Sequence, residues 1–135
     1  MRELKFRAWF HANPKDYVYQ RGKLLNPDQM FIDSYPGECF RFAHEGQPVE
    51  LMQYTGLKDK NGKEIYEGDI LLADEDYVNG DIEMKLQIKW DAEKAGFYLY
   101  DINMEDGAED DEFYALNNCY QVIGNIYENP ALMKV

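Results

Sequence analysis

A chain of 135 residues with 45% hydrophobic and 15% aromatic content can bury one main core and is too apolar to be a disordered or collagen-like polymer. Its formal net charge of −12, from 14 basic and 26 acidic side chains, opposes the counterion-releasing phosphate contacts on which sequence-independent nucleic-acid binding rests. The excess is uneven: residues 1–68 hold 10 basic and 10 acidic side chains, whereas residues 69–135 hold 4 and 16.

The two cysteines, Cys39 and Cys119, form neither a disulfide framework nor a paired redox or zinc motif, so reduced thiols are expected. The opening MRELKFRAWF alternates charged with apolar residues, and the longest aliphatic run, Ile70 to Ala73, is too short to span a bilayer. The expectation is a soluble cytoplasmic protein with no membrane contact.

In chain order, Leu4, Phe6, Ala8 and Phe10 alternate with Lys5, Arg7 and Trp9, the period of a half-buried strand. Asn13 and Pro14 break it, and Tyr17 to Tyr19 offers a second short strand. From Asn26 to Gly37 the chain is punctuated by Pro27 and Tyr35-Pro36-Gly37 and reads as irregular. Phe40 to Phe42 and Val49 to Tyr54 resume apolar alternation, with a turn through Gly46 to Pro48. Next, Asn61-Gly62 between Lys60 and Lys63 predicts a tight hairpin, because both residues accept positive φ.

After Gly68 come five strand-like segments: Ile70 to Ala73, Ile82 to Trp90, Phe97 to Ile102, Phe113 to Leu116 and Gln121 to Tyr127. In the second, Ile82, Met84, Leu86, Ile88 and Trp90 are expected to face the interior, opposite Glu83, Lys85, Gln87 and Lys89. Asn129 and Pro130 suit the cap and first turn of a short terminal helix. No longer stretch has helical period. Short antiparallel strands in this number imply a small barrel or rolled sheet, since closure removes exposed edges.

Three blocks carry a family pattern: MRELKFRAWF at the start, LMQYTGLKDKNGKEIYEGDIL in the centre and YQVIGNIYENPALM at the end. In these the chain resembles the YopX family of phage and prophage proteins. The resemblance implies a mainly β protein with a small Src-homology-type barrel in its C-terminal portion, encoded by mobile elements and homo-oligomeric. It implies no reaction, cofactor or catalytic residue. The segments from Asn13 to Pro48 and from Asp101 to Glu112 lie outside the matching blocks. The combined reading divides the chain into a β-rich irregular segment, residues 1–53, and a barrel with a short helix, residues 54–135.

Several constellations bring together residue types that chemistry uses. Seven of the twelve residues from Asp101 to Glu112 are acidic, a run expected to stay solvated unless a cation or basic partner occupies it. Asp101, Asn103, Glu105, Glu109 and Glu112 fall at oxygen-donor places of a twelve-residue calcium loop, but Asp106 stands where the turn needs Gly and no helix precedes it. No metal is therefore expected. His11, His44, Cys39 and Cys119 are too scattered for a structural zinc site or a nucleophilic pair. Tyr54, Lys58, Lys60, Lys63 and Tyr66 set basic residues beside aromatics around the hairpin, with Asp59, Glu64 and Glu67 nearly cancelling the charge.

The sequence reading is a non-enzymatic interaction module without cofactor that self-associates and binds another protein rather than nucleic acid. Asp101, Asn103, Glu105, Glu109, Asp110, Asp111 and Glu112 are its candidate binding residues, and Leu4 to Phe10 its expected paired edge. The alternative is an acidic nucleic-acid mimic, in which Asp74, Glu75, Asp76, Asp81 and Glu83 would stand beside the second cluster and occupy the basic groove of a DNA-binding enzyme.

Overall fold

The computed structural model describes residues 4–11, 19–20, 23–24, 28–32, 37–73, 85–102, 109–110 and 120–133. These form two compact units, Met1–Tyr54 and Thr55–Val135. The protein is mainly β, and its strands are antiparallel.

In the first unit, β1 (Phe6–Phe10) lies between β4 (Gln29–Ile32) and β5 (Val49–Lys58), with Ala8 opposite Phe31 on one side and Leu51 on the other. The expected edge strand is thus an interior one. Both its faces are covered: Arg7 and Trp9, assigned to solvent by alternation, are buried too, though less completely than Ala8 and Phe10, while Leu4 is exposed. A two-stranded ribbon, β2 (Tyr19–Gln20) with β3 (Lys23–Leu24), falls where a short second strand was expected; Tyr17 and Val18 lie outside the described residues.

Phe40 to Phe42 is not a strand. It lies in the helix α1 (Glu38–His44), which buries Cys39 and Phe42, three positions apart, against Ala8, Phe10 and Phe31. Gly46, at φ 79°, ends the helix: its N–H donates to the Ala43 carbonyl at 3.1 Å and the Gln47 N–H to the Phe42 carbonyl at 2.9 Å. This pair of bonds is a Schellman cap, so the glycine that opens the expected turn through Gly46 to Pro48 is also a helix stop. The Phe42 ring meets Phe10 and Phe31 edge-on, with centroids 5.5 and 4.9 Å away.

Strand β5 runs through the division between the units: residues 49–53 pair with β1, and the later part pairs with β6 (Glu64–Tyr66). Gly56 adopts φ 89° within the strand, where Thr55 Oγ1 donates to the Ile65 carbonyl at 2.8 Å and accepts the Leu57 N–H at 3.2 Å.

The tight hairpin expected at Asn61-Gly62 joins β5 to β6, but only one of the two residues takes the positive φ that the sequence allowed both. Asp59 N–H donates to the Lys63 carbonyl and Gly62 N–H to the Asp59 carbonyl, at 2.8 and 3.0 Å, and only Gly62 has positive φ. The loop is therefore Lys60-Asn61-Gly62, a type I turn closed by a glycine bulge, and Asn61 stays at negative φ.

The second unit carries a five-stranded sheet in the order β10-β9-β8-β7-β11: β7 (Asp69–Ala73), β8 (Lys85–Asp91), β9 (Gly96–Asp101), β10 (Glu109–Asp110) and β11 (Tyr120–Asn125). It curls as a half-barrel. Leu71, Ala73, Leu86, Ile88, Phe97, Leu99, Tyr120 and Val122 line its concave core, together with Ile65 and Leu57 from the hairpin. Leu86 and Ile88 point inward as alternation requires, but Trp90 at the end of β8 is 43% exposed, its ring edge-on to Phe97 at 5.0 Å. Ile82, Met84 and Phe113 to Leu116 lie outside the described residues.

The terminal helix is a 3₁₀ turn, Pro130–Met133, and Asn129 does not cap it with its side chain; its Oδ1 instead accepts the Asn125 N–H at 3.2 Å. Lys85 Nζ donates to the Leu132 carbonyl at 3.1 Å, tying this turn to β8.

Candidate functional site

Three members of the acidic run, Asp101, Glu109 and Asp110, lie in described strands. Strand β9 is fixed to β8 by a register that sets Trp90 opposite Phe97, Lys89 opposite Tyr98 and Leu86 opposite Asp101. The turn between them, Ala92 to Ala95, is built by Asp91, whose Oδ1 accepts the Glu93 and Lys94 N–H groups at 2.9 and 3.3 Å. Lys89 Nζ stands 3.7 Å from the centroid of the Tyr100 ring, so this face of the sheet carries a cation on an aromatic. Beyond Asp101 the chain returns as β10, whose Glu109 and Asp110 pair with Tyr100 and Leu99.

Thus Asp101 ends β9, and Glu109 and Asp110 form the outermost strand of the sheet. Asn103, Glu105, Asp111 and Glu112 lie outside the described residues, as do Asp74, Glu75, Asp76, Asp81 and Glu83. Among the described residues no group of three or more His, Cys, Asp or Glu side chains could hold a metal ion. Acidic residues on an outer strand have a plain physical effect: like charges oppose edge-to-edge pairing with another copy of the same strand and favour a basic neighbour.

The other constellations disperse. Cys39 is buried, its thiol directed at the Phe31 carbonyl at 3.9 Å, whereas His11 is half-exposed near Glu50, with Nε2 to Oε1 3.9 Å. His44 is exposed at the end of α1, and Cys119 lies outside the described residues. Tyr54 and Tyr66 are buried and present no ring face for base stacking, although Lys58, Lys60 and Lys63 around them are exposed.

A residue that the sequence reading treated only as a counter-charge, Asp59, is the polar centre of the second unit. Its Oδ1 accepts the Asn61 and Lys63 N–H groups, each at 2.9 Å, and its Oδ2 accepts the Val122 N–H at 2.9 Å. The Lys60 N–H adds a bond to the Tyr120 carbonyl at 3.0 Å, so the hairpin is joined to β11. Burial raises the Asp59 pKa, but the N–H donors of Val122, Lys63 and Asn61 and the charge of Lys63 outweigh it and hold the carboxyl below the usual value. An Asp two places before Asn-Gly is an Asx-turn signal that could have exposed this role.

The closing block is similarly structural. Gly124 follows a bulge after Val122 in β11, and a Cβ there would stand 2.5 Å from Asn129 Oδ1 and 2.9 Å from Leu132 Cδ1. The Asn125 side chain accepts the Tyr127 and Glu128 N–H groups at 3.0 and 2.8 Å and donates to Glu128 Oε1 at 2.9 Å.

Against known proteins, the family model described as YopX protein matches residues 5–134. The chain belongs to the YopX family. Among solved structures, this YopX-family chain is similar to that titled protein EF1440 from Enterococcus faecalis, with TM-score 0.55 and 28% identity over 98% of this chain and 99% of the other. No curated protein matches. The central and closing blocks that carry the family resemblance, LMQYTGLKDKNGKEIYEGDIL and YQVIGNIYENPALM, contain the positive-φ glycines 56, 62 and 68, the Asp59 centre and the Gly124–Asn129 approach. They encode turns of the fold. Among the described residues, no helix is long and apolar enough to cross a membrane.

Proposed function

We propose that this YopX-family chain is a non-enzymatic protein-interaction module of phage or prophage origin that self-associates in the cytoplasm and selects a protein partner by charge. The observation that supports the reading is the position of Glu109 and Asp110 on the outermost strand of the half-barrel sheet, in a chain of formal net charge −12. In this reading self-pairing falls to the edge strand β4 of the first unit, because β1 already has two neighbours.

The test captures partners with the tagged chain from host lysate at low and high salt, beside a variant carrying E109Q, D110N, D111N and E112Q. Capture of a basic partner that weakens with salt and with neutralisation supports the reading. Capture unaffected by both overturns the charge-selection part. Loss of the partner specifically to competing duplex DNA moves the assignment to the nucleic-acid mimic. Light scattering over a wide concentration range tests self-association, and a constant monomer mass removes it.

A further inference from the structure

Beyond partner binding, the tip of the β5–β6 hairpin carries a reactive pair of its own. Asn61 and Gly62 are both exposed, Gly62 has no side chain to shield its amide nitrogen, and nothing stands within 4 Å of where a Cβ on Gly62 would lie. The pair therefore lies at an open surface, and no neighbouring group crowds Gly62 on its Cβ side. What restrains the pair is hydrogen bonding: the Gly62 N–H is given to the Asp59 carbonyl and the Asn61 N–H to Asp59 Oδ1.

We propose that Asn61–Gly62 is a site of spontaneous deamidation that irreversibly loosens the hairpin from β11. Solvent base removes the Gly62 amide proton, and the nitrogen attacks Asn61 Cγ. A succinimide closes and the side-chain amide leaves as ammonia. One water then opens the ring: cleavage of the bond from Cγ to nitrogen gives Asp, and cleavage of the bond from the main-chain carbonyl carbon to nitrogen gives isoaspartate. No oxidant or reductant enters.

The isoaspartyl product lengthens the main chain by one methylene inside the loop closed between Asp59 and Lys63. Two N–H groups converge on Asp59 Oδ1 from within that loop, those of Asn61 and Lys63, and they cannot both keep their 2.9 Å geometry. The same carboxylate holds the Val122 N–H, so a change made at the tip is transmitted to a strand 63 positions away in sequence from Asp59.

The experiment incubates the full chain at mildly alkaline pH, maps isoaspartate by enzymatic methyl transfer and peptide digestion, and follows amide exchange. A synthetic peptide of residues 57–65 calibrates the unrestrained reaction, and the chain's other Asn-Gly pair, Asn79-Gly80, is scored separately in the same digest. The expected result is isoaspartate accumulating at residue 61 in the full chain, with exchange at the Val122 amide rising about tenfold or more in the modified fraction. N61Q, which keeps an amide at the tip but closes a ring far less readily, is expected to retain slow Val122 exchange throughout. Absence of isoaspartate at residue 61 after the peptide has fully converted overturns the site, and modification without faster Val122 exchange overturns the coupling.

Discussion

The carboxylate of Asp59 accepts the backbone N–H of Val122 at 2.9 Å, joining the tip of one hairpin to a strand that follows 63 residues later. Because the same side chain closes its own loop, a single acid shapes the turn and, beside the Lys60 N–H bond to the Tyr120 carbonyl, helps attach it to the sheet.

Asp59→Ala leaves three N–H groups without their acceptor and is expected to cost about 3 kcal/mol by chemical denaturation. Asp59→Asn, which keeps one acceptor oxygen, is expected to cost less. The pH dependence has a definite sign: the folded pKa is lowered, so this stabilisation is fully present above the unfolded carboxyl value of about 3.9 and is lost as pH falls through the folded value. Melting curves across that acid window should fall less steeply in Asp59→Asn than in the parent chain; equal slopes would remove Asp59 from the acid response.

Gly124→Ala forces Asn129 and Leu132 aside, since the new Cβ would otherwise sit 2.5 Å from Asn129 Oδ1. The expected loss is about 1 to 3 kcal/mol, accompanied by faster exchange at the Asn125 amide, whose acceptor is that oxygen. A variant as stable as the parent, with Asn125 equally protected, would show that the turn at residues 130–133 does not depend on this close approach.

Leu86→Ala removes a fully buried side chain from the half-barrel core and is expected to cost about 2 to 5 kcal/mol. Trp90→Ala, two residues along the same face but 43% exposed, is expected to cost clearly less despite the larger truncation. Urea midpoints of the pair check the inward register; equal losses would contradict it.

Ala95 adopts φ 50° in the turn between β8 and β9, a conformation that costs a non-glycine residue about 1 kcal/mol. Ala95→Gly is expected to raise the melting temperature, by relieving that strain, and a lowered value would mean that unfolded-chain entropy dominates.

What could be read from the sequence was what depends on neighbours in the chain. The hairpin around Asn61-Gly62 and the inward side of β8 at Leu86 and Ile88 follow from turn chemistry and a period of two, and both stand in the structure. Helix α1 escaped because it is only 7 residues long, and Phe40 and Phe42 on either side of Arg41 imitate strand alternation. The cost of missing tertiary context is plainest in β1: Arg7 and Trp9 look solvent-facing until two strands and a second covered face surround them. At the candidate site, the charge of Asp101 to Glu112 was legible, whereas the placement of Glu109 and Asp110 on an outer strand depends on pairing with Tyr100 and Leu99.

The strand order also sets a timetable for a chain emerging from the ribosome. β1 is made first, yet neither of its partners exists until residues 29–32 and then 49–53 have appeared. In the second sheet β7 can zip to β8 early, but its other side stays open until Tyr120 to Asn125 arrive to pair with Ala73 to Asp69. Until then β7, apolar on both faces from Ile70 to Ala73, presents an unpaired edge that other nascent chains could join.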